Sequence, residues 1–121
     1  MTEPNERLVV IRHAPYSSNE LREGLDVALV AAAFGQAVSL LFLGQGVLAL
    51  LKEQKAGAPG QKSTLPTIDM LEMYDIETIL VPTETLQNFN ITADQLVDGV
   101  TLLPISDLPD LFQRYDYVLN F

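Results

Sequence analysis

The sequence predicts a flavodoxin-like three-layer α/β sandwich, with a mainly parallel five-stranded sheet and helices on both faces. Three observations carry this reading. Short runs of branched or aromatic apolar residues recur along the chain, and segments of helical periodicity separate them. Strands alternating with helices in this way point to parallel neighbours, because parallel strands need a crossover connection. The 121 residues, 48% of them hydrophobic, suffice for one compact domain with a full core. We take residues 1–121 as that domain, with residues 1–6 as a flexible N-terminus.

Each element has its own signal. Leu8 to Arg12 reads as a buried first strand that ends in the polar loop His13 to Asn19. A helix follows, because Ser17 and Glu20 stand at capping-box spacing and Leu21, Leu25, Ala28, Leu29 and Ala32 recur at the helical period. It should end near Gly35. Val38 to Leu43 is the second strand, Gly44-Gln45-Gly46 a tight turn, Val47 to Lys52 a short helix, and Glu53 to Thr64 a loop holding Gly57, Pro59 and Gly60. Pro66 suits the first turn of a helix carrying Ile68, Leu71 and Met73, and Thr78 to Val81 is the third strand. Thr83 to Phe89 is read as a short helix, Thr101 to Ile105 as the fourth strand, Ser106 to Arg114 as a helix capped by Ser106, and Tyr117 to Phe121 as the last strand. The stretches "MYDIETILV" and "RYDYVLNF" echo each other, which we read as a shared helix-to-strand turn.

Composition narrows the function. Sixteen acidic against seven basic residues give a net charge of -9, which repels phosphate backbones and anionic lipid and argues against direct binding of nucleic acid or membrane. No apolar run approaches the roughly 20 residues of a membrane span, and the start MTEPNER has no signal-peptide core, so a cytoplasmic protein is expected. The absence of cysteine excludes disulfides, thiolate metal sites and a nucleophilic thiol on this chain.

Sites in open parallel sheets form beyond the carboxyl ends of the strands, where His13 to Asn19, Gly44 to Gly46 and Pro82 to Thr85 should lie. Ser17, Ser18 and the helix N-terminus offer donors to an anion, as in a flavin- or anion-binding module, although capping already accounts for them. His13 is the chain's one histidine, and spacing provides it with neither a partner acid nor a nucleophile, so a solvated loop residue is expected. Gly44-Gln45-Gly46 is too short for a dinucleotide or phosphate loop. A phospho-acceptor domain would want carboxylates where Arg12, His13, Val81 and Pro82 end the first and third strands. We expect no catalytic residue, no metal and no cofactor on this chain.

The first helix departs from a monomer's pattern. Beside its core stripe, Val27, Val30, Ala31 and Phe34 make a second apolar face, where an outer helix should be wet. The segment holding Val47, Leu48 and Leu51 is apolar nearly all round. These seven residues are the expected partner interface, because extended apolar patches on monomers are uncommon.

The stretches "HAPYSSNELREGLDVAL", "LLFLGQGVLALLKEQ", "LEMYDIETILVPTETL" and "YDYVLNF" resemble the TusC/DsrF branch of the DsrE-like sulfur-relay proteins, in the same order from Leu8 to Phe121. Pro15, the run Arg22 to Asp26, Gly46-Val47, Tyr74-Asp75 and Tyr115-Asp116 are the most specific pieces. The family usually has an acidic residue where this chain has Gln45. The resemblance implies a DsrEFH-like fold and a hetero-oligomer with TusB-like and TusD-like subunits, a dimer of heterotrimers, with self-association possible for the isolated chain. It further implies that the persulfide cysteine sits on the TusD-like subunit, after the third strand. The equivalent position here falls near Val81, which cannot hold sulfur. His13, Pro15, Tyr16, Gly46 and Val81 would then frame a shared site whose reactive group belongs to a partner. The implied pathway ends in 2-thiolation of the tRNA wobble uridine, or, on the DsrF side, in dissimilatory sulfur oxidation.

Overall fold

A computed structural model describes residues 6–14, 19–52 and 65–121. Five strands, β1 (Glu6–Ile11), β2 (Ala37–Phe42), β3 (Thr78–Pro82), β4 (Val100–Leu103) and β5 (Tyr117–Asn120), form one sheet in the order β4-β3-β2-β1-β5. All four pairings are parallel, with Val9 opposite Leu40 and Leu119, and Leu80 opposite Leu41 and Thr101. The helices are α1 (Glu20–Ala33), α2 (Leu65–Met73), α3 (Thr83–Asn88) and α4 (Leu108–Gln113).

The strand order decides which face each helix covers. From β1 to β4 the chain steps across the sheet in one direction, so right-handed crossovers place α1, α2 and α3 on the same face. The step from β4 back past three strands to β5 reverses direction and sends α4 to the other face. Alternation along the strands follows. Val9, Ile11, Leu40, Phe42, Ile79 and Val81 meet Leu21, Leu25 and Ala28 of α1, Leu71 of α2 and Leu86 of α3. Leu8, Val10, Leu41 and Leu80 meet Leu111 of α4. Each large side chain fully removed from water, such as Phe42, contributes roughly 2 kcal/mol.

Several boundaries differ from expectation for identifiable reasons. Glu6, expected in a free terminus, opens β1, where its backbone N–H donates to an Asp116 carboxylate oxygen at 3.0 Å. The first helix starts at Glu20 after Asn19, whose side chain makes no capping bond; Ser17 lies outside the described residues. It does stop before Gly35, whose φ of 81° is easy for glycine. The expected turn and short helix at 44–52 are one 3-10 helix, Gly44–Leu50. Val47, Ala49 and Leu50 are buried by the chain itself: the Val97 N–H donates to the Leu50 carbonyl at 2.8 Å, and Leu51 bridges to Leu96. The fourth strand stops at Leu103 because Pro104 has no N–H to continue the ladder. A 3-10 turn, Ile105–Asp107, follows, so Asp107 rather than Ser106 precedes α4, and Pro109 fits its first turn.

The repeated Tyr-Asp step is the same in position but not in geometry. Asp75 takes a left-handed φ of 63° just past α2, and the Ile76 N–H reaches back to the Leu71 carbonyl at 2.9 Å. Asp116 instead uses its carboxylate on Glu6, tying β5 to the start of β1.

Candidate functional site

The carboxyl edge of the sheet collects the ends of all five strands. Chain leaving β3 enters α3 on one face, and chain leaving β4 heads for α4 on the other, so a crevice is expected between these two strand ends. Residues of α3's first turn bridge it. The Thr83 hydroxyl donates to the Leu103 carbonyl at 3.4 Å, and a Glu84 carboxylate oxygen accepts the Ile105 N–H at 3.1 Å. The sequence places Pro82 to Thr85 at this edge but gives Thr83 and Glu84 no individual role. Their signal was a proline at a strand end followed directly by polar residues opening a helix.

At the end of β1, the Leu43 N–H donates to the Ile11 carbonyl at 2.9 Å, and the Gly46 N–H to the Leu43 carbonyl at 3.0 Å. Gly46 is thereby pressed onto the end of β1 and buried. On the other side, the Arg12 N–H donates to the Phe121 carbonyl at 2.9 Å, and Arg12 Nε to the Asn120 side-chain oxygen at 3.3 Å. His13 is exposed on the loop that leaves this edge.

Of the five rim residues, the structure brings His13 and Gly46 to this edge. Val81 is a correction. Its side chain points down into the core and is fully buried, because residues of β3 alternate and Val81 shares the α3 side with Ile79. The surface at this strand end is carried by Thr83 and Glu84. Pro15 and Tyr16, like Ser17 and Ser18 of the anion-binding alternative, lie outside the described residues.

The seven residues expected at an interface divide into two groups. Val30 is 56% and Phe34 81% exposed, with Val27 and Ala31 partly buried beside them. Together with Asp26 and Gln36 they line a shallow, largely apolar depression of about 420 Å³. Leu48 and Leu51 are half-buried, whereas Val47 is fully buried and serves the chain's own core, a second correction. The 3-10 helix is too short and too tightly covered to leave that side chain free.

A cavity of about 660 Å³ opens at the opposite, amino-terminal edge, between α2 and the starts of β3 and β4. Among the described residues its lining mixes apolar side chains with Asp69, Glu72, Glu77, Asp98 and Lys52 and includes no histidine or hydroxyl. Among the described residues no group of His, Asp or Glu is arranged to hold a metal ion. Among them also, no helix is long and apolar enough to cross a membrane. Asp94, whose carboxyl the Thr92 hydroxyl holds below the usual carboxylate range, is exposed and does not belong to the strand-end edge.

Comparisons with known proteins agree with this geometry. The sequence profile of the DsrE/DsrF-like family matches residues 7–121. A TusC homolog of Aliivibrio fischeri is 32% identical over 112 residues, covering 93% of this chain and 95% of that protein. One from Pseudomonas aeruginosa is 32% identical over 113 residues, with the same coverage of each chain, 93% and 95%. The intracellular sulfur oxidation protein DsrF of Allochromatium vinosum is 38% identical over 87 residues, 72% of this chain and 64% of that one. In fold, the chain is similar to the ychN protein from E. coli, with a TM-score of 0.82 at 21% identity, covering 98% of this chain and 100% of that one. Protein MTH1491 of Methanobacterium thermoautotrophicum is similar with a TM-score of 0.71 at 11% identity, over 97% and 99% of the two chains.

Proposed function

This chain belongs to the DsrE/DsrF-like family, and from that premise we propose that it is a non-catalytic subunit of a cytoplasmic TusBCD-type sulfurtransferase complex. Its partners are TusB-like and TusD-like subunits, and the relay they form ends in 2-thiolation of the tRNA wobble uridine. The relatives named TusC homologs support this branch. The observation that carries the reading is chemical. A sulfur relay needs a thiolate that can become a persulfide, and this chain has no cysteine at all. The strand end nearest to where the family's cysteine would fall is occupied by a buried valine and bridged by Thr83 and Glu84. An acidic chain of net charge -9 suits a subunit that leaves contact with RNA to others.

The test is mass spectrometry of the intact chain after incubation with a cysteine desulfurase and cysteine, alone and then with both partner subunits. Sulfur that a reductant releases should appear on the TusD-like subunit and not on this chain. A reductant-sensitive gain of one sulfur atom on this chain would overturn the reading. The similarity to DsrF favours a second version, in which the same architecture serves dissimilatory sulfur oxidation. Deleting the gene separates the two: loss of 2-thiouridine from tRNA supports the first, and intact thiolation with failed sulfur oxidation supports the second.

A further inference from the structure

The apolar face of α1 does not end at the helix. Gly24 packs against the Phe121 ring, which fixes the side of α1 that looks towards β5. Going round the helix from Gly24, the next residues are Ala31, Val27 and Phe34, and then Val30 pointing straight out. Below that side, β5 turns Tyr117 and Leu119 to the face covered elsewhere by helices, because Val118 packs against the opposite core. Among the described elements no helix lies over them. Tyr117 is 49% exposed and Leu119 partly so, and Leu119 joins neither core cluster. Arg7, the register partner of Tyr117 on β1, lays its guanidinium over the Tyr117 ring, 4.9 Å from the centroid.

Among the described residues, acidic charges outnumber basic ones along the α1 border of this surface, where Arg22 is the one exposed cation. Glu23 and Asp26, both exposed, stand one turn before Val27 and Val30, and the last turn of α1 contains no basic residue. That turn is also the negative end of the helix dipole. We propose that the flank of α1 and the uncovered face of β5 form one docking surface for a partner chain with an apolar centre bordered by lysine or arginine. This rests on reading the chain as a hetero-oligomer subunit. A second copy fits poorly: it would bring the same acidic border, Glu23 and Asp26, in place of a basic one, and a second net charge of -9.

The test co-expresses the full chain with its TusB-like and TusD-like partners and measures assembly and affinity at low and high salt. Val30→Glu with Phe34→Asp should stay folded by circular dichroism and lose affinity about 30-fold or more, as for a truncated interface centre. Glu23→Lys with Asp26→Lys alters exposed positions alone. It should weaken binding about tenfold at low salt and flatten the salt dependence. Either variant binding like wild type overturns the proposed surface, as does unfolding of the first while the second binds normally. A wild-type homodimer that the first variant dissolves would assign the surface to a second copy and overturn the basic partner. A wild-type chain that assembles with neither partner would instead overturn the functional reading, and this proposal with it.

Discussion

Gly46 lies so close to the main chain of Ile11 that a Cβ built on it would run into the Ile11 carbonyl. The atom in the way is backbone of a central strand, hydrogen-bonded to the Leu43 N–H, and cannot move aside. Gly46→Ala should therefore destabilise the chain by about 3 kcal/mol or more, as overpacking does where nothing can relax. Urea unfolding of the purified variant measures this. A loss below about 1 kcal/mol would show that the 3-10 helix can lift away from β1.

Gly24 offers the contrast. Its Cβ would meet the Phe121 ring at 3.0 Å, a tight contact, but with a partly exposed side chain just past the outer strand β5. Alanine gains about 1 kcal/mol of helix propensity, and the strain is at the lower end of about 1–3 kcal/mol because the ring can shift. Gly24→Ala should change stability by less than about 1 kcal/mol in the same assay. A loss comparable to that of Gly46→Ala would mean the ring is held rigidly.

Glu84 holds the start of the β4–α4 connection through the Ile105 N–H. Glu84→Ala removes the acceptor and should cost about 1 kcal/mol, with faster amide exchange at Ile105. Glu84→Gln keeps an oxygen in place and should lie within about 0.5 kcal/mol of wild type. If glutamine proves as damaging as alanine, charge rather than the hydrogen bond ties this edge together.

Val81→Cys puts a thiol at the buried strand position. In the native chain it should react with a thiol reagent about 100-fold or more slowly than in denaturant, because only opened molecules expose it. Thr83→Cys, half-buried at the helix start, should react much faster. Comparable native rates at the two sites would show that the β3 end is open.

His13 is exposed and should be dispensable for chemistry. His13→Ala is expected to leave sulfur transfer by the assembled complex within a few-fold of wild type, whereas loss of a general base costs about 100-fold or more. A fall of that size with assembly intact would make the loop after β1 catalytic.

The sequence by itself determined the sheet, its parallel direction and the family. Runs such as Leu8 to Ile11 and Ile79 to Val81 are apolar on both faces, which only a strand covered on two sides requires, and the missing cysteine is visible without coordinates. It also marked Val30 and Phe34, because residues at helical spacing reveal a second apolar stripe. What it left undecided were contacts between residues far apart in the chain. A segment apolar nearly all round made Val47 look like an interface residue, and the family resemblance made Val81 look like rim. The tertiary structure buried them, because α2, α3 and the segment around Leu96 fold over the one and strand alternation turns the other inward. Likewise only the strand order decided that α3 and α4 leave the sheet on opposite faces, which is why Glu84 and Ile105, 21 residues apart, meet at the edge. Local patterns report which side of an element is apolar; which element arrives to cover it depends on the path of the whole chain.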